Sequence, residues 1–310
     1  TQQPTLFPYT TLFRSQVAGV RAILDGGSLM KKILGIDFSP KAEIALLKIL
    51  GKDAYIQYEK FQETIRIGDN DMVLLWMDED QALVEQKIGK LRCACNFQNI
   101  PIIVMHDQPR DIPSQPYVIA GATEVLSLSD PAPACRNIIN GYLIPGREPL
   151  PEEKAYLDPF IRNTCHILKT MAGMDAVFKK VYFSNAIRIF GDVSGIMGLS
   201  GNSEGTLAVT FYWDLAKTII ARMMNTEEDQ IDAELIHDGV SEIINMISGT
   251  TKKDFVGKPH HFEITLPSVV VGPGHQIGYF QNTAAAVLIF EVDGQAFALH
   301  VCIKPKSAAA

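Results

Sequence analysis

Residues 238–250 read DGVSEIINMISGT. An α-helix advances about 100° per residue. On that wheel Asp238, Glu242, Asn245 and Gly249 share an arc of roughly 60°, and Val240, Ile243, Ile244 and Ile247 share an opposite arc of roughly 100°. The apolar arc is the core face of a packed helix. The polar arc has an uncommon composition, because asparagine competes for backbone groups inside a helix and a purely solvated face draws Lys, Glu or Gln instead. A carboxylate and a carboxamide stand one turn apart, and Gly249 continues the face with no side chain, so another surface can approach closely. So short a pattern also occurs on ordinary solvated helices, and its weight depends on what flanks it.

Working outward, residues 232–248 read as one long helix. Downstream, 262–271, 284–292 and 295–303 read as strands, the last two joined through Asp293 and Gly294, a strong hairpin signal. Upstream, 181–189 and 193–199 read as strands. The turn residues GNSEG at 201–205 pair 193–199 with 206–211. Residues 155–174 and 213–224 read as helices. The pattern predicts an α+β unit, an antiparallel sheet with helices on one side. Such a unit leaves the outer face of its long helix free to present Glu242 and Asn245.

Asp238-x3-Glu242-x2-Asn245, with Pro267 standing 22 residues after the asparagine, resembles the signature of the CheC/CheX/FliY family. These are phosphatases of the phosphorylated chemotaxis response regulator CheY. The stretches DVSGIMGLSG at 192–201, EGTLAVTF at 204–211 and LPSVVVGPGH at 266–275 resemble CheX in particular. The resemblance runs from about 155 to about 305, and the motif occurs once, as in CheX, where CheC-type members carry two. It implies a phosphatase that hydrolyses the aspartyl-phosphate of a CheY-like receiver protein. Asn245 is then the catalytic amide: its carbonyl accepts from the attacking water and its NH₂ donates to the phosphoryl group, which is catalysis by positioning. Glu242 acts with it by docking, pairing with the receiver's active-site lysine. Asp238 is a helix-surface member of the motif, and Pro267 shapes the segment beside it. The resemblance implies no cofactor of the protein's own, Mg²⁺ in the active site of the partner receiver, and a homodimer formed through the CheX-like part. Hairpin edges such as 193–211 would offer strands for that pairing. The alternative is a non-catalytic signalling adaptor that docks receiver domains.

The N-terminal half alternates short apolar runs with amphipathic stretches. Strands are expected at 33–36, 54–57, 72–77, 101–105 and 124–128. Helices are expected at 40–50, 61–67, 79–92, 114–120 and 134–142, the first with Ser39 as N-cap and Pro40 at its first position. Five alternating units imply an α/β fold, a (βα)5 parallel sheet with helices on both faces. With GATEVLSL at 121–128, the order resembles a response-regulator receiver domain over 30–144. The resemblance fails at the chemistry. Of the acidic pair that would hold Mg²⁺ only Asp37 is present, with Phe38 beside it. Trp76 stands at the phospho-acceptor position, His106 at the Ser/Thr position, Leu128 at the lysine and Ser129 at the proline. Without a carboxylate nucleophile and a charge-balancing lysine the usual phosphoryl transfer is not available. Asp78 is a weak substitute acceptor. The expectation is a degenerate receiver, used for binding or dimerisation. The Pro- and Gly-rich run IPGREPLPEE at 144–153 marks a linker.

The expected organisation is therefore 30–144, a linker at 145–154, and a CheX-like domain at 155–306. Residues 5–15, TLFPYTTLFRS, resemble the translation of a sequencing-library adapter. Residues 1–29 are accordingly expected to be a disordered artefact or upstream segment, with Met30 as the start. The 310-residue chain is 47% hydrophobic and 20% charged, with formal charge −7, as in soluble two-domain proteins. No apolar run reaches a membrane span, and no basic stripe interleaved with aromatics points to nucleic acid. Five scattered cysteines fit reduced thiols, and Cys93-x-Cys95 lacks the second pair of a zinc site. A cytoplasmic protein is expected. His260, His261 and His275 read as loop histidines.

Overall fold

The computed structural model describes residues 31–51, 54–77, 80–108, 112–143, 149–184, 191–258, 260–272, 275 and 285–305. The expectations for 1–29, for Met30 and for Asp78 fall outside them. The first strands β1 (Lys31–Ile36), β2 (Ala54–Glu59), β3 (Met72–Trp76), β4 (Ile102–His106) and β5 (Glu124–Ser127) form one sheet in the order β2-β1-β3-β4-β5. All its pairs are parallel, with Ile33 level with both Ile56 and Met72. The runs MVLLW and IIVMH are buried at every position, as central parallel strands covered on both faces must be. Helices α1 (Pro40–Leu50) and α4 (Ala132–Tyr142) supply the core on one face through Leu46, Ile49, Cys135 and Ile139. Helices α2 (Gln81–Ala94) and α3 (Gln115–Ala120) supply the other through Val84, Ile88, Leu91 and Tyr117. Ser39 caps α1 as the sequence indicates, its Oγ accepting from the Ala42 N–H at 3.3 Å.

One element of the (βα)5 expectation is corrected. Residues 61–67 form no helix and cross from β2 to β3 as an irregular strap. The stretch is short for a helix and carries β-branched Thr64, Ile65 and Ile67, and it gains more by laying Phe61, Ile65 and Ile67 on the α2 side of the core. Asp37 Oδ1 fixes its start by accepting the Phe61 N–H at 3.0 Å.

The C-terminal part begins with α5 (Pro151–Ala172), which starts four residues before the expected position because Pro151 takes the first helical position and Glu153 accepts the Leu150 N–H. A seven-stranded antiparallel sheet follows, made of β6 (Val177–Ser184), β7 (Val193–Gly201), β8 (Ser203–Phe211), β9 (Phe262–Ile264), β10 (Ser268–Val271), β11 (Ala285–Val292) and β12 (Gln295–Pro305). Its order is β10-β7-β8-β12-β11-β6, with β9 also on β7. The hairpin 193–211 is therefore interior, and among the described residues the edges are β9/β10 and β6, which corrects the expected place for strand pairing. Asp293 and Gly294 both take positive φ, 49° and 77°, as a two-residue hairpin turn requires. Helices α5, α6 (Trp213–Met224) and α7 (Ala233–Asp254) bury one face of the sheet around Phe160, Phe211, Phe290 and Phe297.

The opposite face of this sheet is not left to solvent. Val287, Ile289, Ala296 and Ala298 form an apolar patch there, and Phe97, from the loop after α2, packs into it between Tyr182 and Tyr212. The Tyr182 hydroxyl donates to Phe97 O at 2.7 Å, the Tyr212 hydroxyl to Cys93 O at 3.1 Å, and Lys180 to Gln98 at 2.8 Å. Asn96 and Phe97 reach this place with φ of 53° and 62°, a left-handed backbone uncommon for a phenylalanine.

Candidate functional site

Helix α7 carries the 238–250 stripe. Asp232 caps it, accepting the Leu235 N–H at 2.9 Å, and Lys252 and Lys253 sit in its last turn, so both ends are matched to the helix dipole. Ile236, Val240, Ile243, Ile244 and Ile247 are buried as the wheel requires. Two glycines bring neighbouring surfaces to contact distance. A Cβ on Gly195 of β7 would lie 2.9 Å from the Val240 carbonyl oxygen, and one on Gly239 would lie 2.5 Å from the Ile220 side chain of α6. The helix is thus seated directly on β7 and against α6, and its rotation about its own axis is fixed.

Fixing that rotation aims the polar arc outward. Glu242 and Asp238 are exposed and Asn245 is half-buried. Asn245 Nδ2 donates to Glu242 Oε2 at 3.4 Å, a long bond that orients the amide and leaves its oxygen as the acceptor. Asp238 stands one turn before Glu242, with His237 Nδ1 3.7 Å from its carboxylate. The sequence-predicted residues Asp238, Glu242 and Asn245 therefore share one accessible face.

Pro267 lies in the sheet, between β9 and β10. The expected strand 262–271 is broken in two. Leu199 faces Ile264 and Ile196 faces Ser268, so three residues on one strand oppose two on β7. This is a β-bulge at Thr265, Leu266 and Pro267, where a proline that cannot donate is tolerated. Thr265 pins it: its N–H donates to Gly198 O and its Oγ1 accepts the Gly198 N–H, both at 3.0 Å. The bulge turns Leu266 into solvent at 88% exposure. Sequence reading missed Leu266, although a proline inside a strand pattern is a usable signal for such a bulge. Lys252 of α7 pairs with Glu263 of β9, tying this flank to the helix. That lysine, as hydrogen-bond donor and then as charge, with His261 adding to it, holds the Glu263 carboxyl below its ordinary pKa.

His275 departs from its reading as a plain loop histidine. Its Nε2 lies 2.6 Å from Ser194 Oγ and its Nδ1 2.8 Å from Gly272 O, and Ser194 Oγ in turn lies 2.5 Å from Thr210 Oγ1. Ser194 and Thr210 are buried. The histidine fastens the segment after β10 to the sheet. Among the described residues no group of three or more His, Cys, Asp and Glu is placed to hold a metal ion, and no helix is long and apolar enough to cross a membrane.

Comparison with known proteins finds similarity in the C-terminal part of the chain. Residues 193–291 match the family described as chemotaxis phosphatase CheX. A protein of Thermotoga maritima named CheY-P phosphatase CheX is 26% identical over 151 residues, covering 48% of this chain and 95% of its own. The chemotaxis protein CheX of Desulfovibrio desulfuricans is 28% identical, with a TM-score of 0.45 over 48% of this chain and 99% of that one. A CheC-like superfamily protein of a Shewanella species is 29% identical, with a TM-score of 0.44 over 48% and 97%.

Proposed function

We propose, on the premise that the chain carries a CheX domain at residues 193–291, that it is a phosphatase acting on the aspartyl-phosphate of a CheY-like response regulator. One observation carries the reading. Glu242 and Asn245 stand together on the open face of a helix whose other face is locked to the sheet. The name of the Thermotoga maritima relative supports the same activity.

A phosphorylated receiver brings its own leaving group, lysine and Mg²⁺, and an oriented water completes the set. The Asn245 carbonyl accepts from that water, and its NH₂ donates to a phosphoryl oxygen. The water oxygen forms the new bond to phosphorus, the acyl-phosphate P–O bond breaks, and the water's proton leaves with inorganic phosphate. Glu242 docks on the receiver's lysine, and its contact with the amide holds Asn245 in register for the attack. The N-terminal unit is a receiver-like module that accepts no phosphate. The protein works as a homodimer through its CheX-like part.

The test is phosphate release from a phosphorylated receiver of the same organism. Asn245→Ala should cut the acceleration about 10²-fold or more while receiver binding changes little. Glu242→Lys should weaken binding by setting like charges against each other. A folded Asn245→Ala protein with full activity rejects this mechanism. Receiver binding without any acceleration by the unaltered protein favours the non-catalytic adaptor.

A further inference from the structure

Lys87 reaches out of α2 into the first sheet. Its ammonium lies 2.7 Å from Asp37 Oδ2, and the two side chains are only 15% and 10% exposed. The other carboxylate oxygen accepts the Phe61 N–H at 3.0 Å. The Phe61 ring covers the ammonium at 5.5 Å. Asp37 follows β1 directly, and its own φ is 62°, a left-handed conformation that turns the carboxylate across the strand ends.

This place has a meaning in the topology. A parallel sheet ordered 2-1-3-4-5 reverses its winding between β1 and β3, and ligands of such folds bind at that switch point, beyond the carboxyl ends of the strands. Asp37 and Trp76 mark that end. Trp76 is buried, with the Phe38 ring 5.5 Å away, and the Phe38 ring in turn lies tilted 5.6 Å from that of Tyr58. A receiver-type fold would hold a divalent cation at this point with two or more carboxylates. The described residues do not fit one: both oxygens of Asp37 are engaged, the next residue is a phenylalanine, and aromatic rings fill the neighbouring space.

We propose that Lys87 is the built-in cation of the N-terminal unit. Its ammonium replaces the divalent metal at the β1/β3 switch point and fixes the unit in a single state that neither Mg²⁺ nor a phosphoryl donor shifts. The reason a lysine can serve is geometric. The strap at 61–67 forms no helix, so α2 packs close enough to the β1 end for a four-carbon stem to span the gap. The consequence reaches further, because the same α2 leads at its C-terminal end into Cys93 and Phe97, which dock on the second sheet. The ion pair anchors the middle of the helix and the docking loop its C-terminal end. This inference rests on the receiver-like reading of the N-terminal unit and is independent of the phosphatase reading, since its test measures no phosphate release.

The test uses the full chain. Its melting temperature should be unchanged by millimolar Mg²⁺, alone or with beryllofluoride, and a rise of several degrees with either overturns the proposal. Lys87→Met keeps the length of the stem and strands the Asp37 carboxylate, and Asp37→Asn removes the charge that faces the ammonium. Each should lower the melting temperature by more than about 5 °C, as breaking a buried ion pair does. The double variant Asp37→Asn/Lys87→Met should recover most of the loss. Single variants that melt like the unaltered protein, or a double variant whose loss equals the sum of the singles, reject the pairing. If a single variant fails to fold, the Mg²⁺ and beryllofluoride titrations of the unaltered chain still decide.

Discussion

Phe97→Ala removes the apolar side chain at the centre of the contact between the two halves of the chain. Phe97 is 7% exposed, with its ring 4.7 Å from that of Tyr212. Emptying a buried phenylalanine site costs about 3–5 kcal/mol where the walls cannot collapse. The walls here are Val287, Ile289, Ala296 and Ala298, all on paired strands that cannot move inward. The hydroxyl bonds from Tyr182 and Tyr212 end on backbone carbonyls, so they survive the truncation and retain about 1 kcal/mol each. The left-handed backbone at residue 97 is as costly for alanine as for phenylalanine, and offers no relief. The halves can also part instead of holding a cavity, so the observed loss is the smaller of the cavity cost and the docking free energy. The two tryptophans report separately, Trp76 in the N-terminal sheet and Trp213 at the start of α6. Urea titrations of Trp76→Phe and Trp213→Phe backgrounds should show one shared midpoint with Phe97 present. With Phe97→Ala the midpoints should separate, the weaker half falling by about 3 kcal/mol. Coincident transitions, moved by less than about 0.5 kcal/mol, would falsify the docking described above.

His300 is buried on β12, and burial first, then nearby His275, pushes its pKa down to about 3. The unfolded chain takes up that proton near the ordinary value of about 6.5. The contribution of neutral His300 is therefore complete above that value and drains as pH falls from about 6.5 towards 3, by up to ~1.4 kcal/mol per pH unit. Melting temperatures of the full chain and of His300→Leu, taken between those limits, should diverge, with the flatter curve for leucine; parallel curves reject the assignment. Light scattering on the full chain should report a dimer, because among the described residues β9/β10 and β6 end the second sheet without a further strand. A monomer at tens of micromolar concentration removes the homodimer from the proposed function.

The long helix and its polar face were readable from residues 238–250 alone, because the 3.6-residue period separates the isoleucines from Glu242 and Asn245 without any tertiary knowledge. The Asp293-Gly294 turn was equally local, since its demand for positive φ is written in the residue types. The strap at 61–67 was not, because seven residues of weak preference yield to the burial of Phe61 and Ile65 by a distant helix. Pro267 was noticed as a motif member, but the bulge it sits in depends on the register against β7, which a single strand does not encode. Nothing in the local sequence marks out Lys87, because its carboxylate lies 50 residues earlier in the chain. Phe97 follows two cysteines that invited a question about zinc, and its real role is on a sheet more than 80 residues away.

The Phe97 contact also determines what dissection of this protein can reveal. Leu143, the last described residue before the connection, and Leu150, at the cap of α5, are separated by seven positions. A connection so short spans at most about 25 Å and keeps the two halves at an effective mutual concentration in the millimolar range. A contact centred on one aromatic ring holds under that tether, where two free fragments at micromolar concentration would drift apart. Fragments mixed in a tube would then leave Val287, Ile289, Ala296 and Ala298 in water. Stickiness or self-association of an isolated C-terminal fragment would report that uncovered patch and not the assembly of the intact chain.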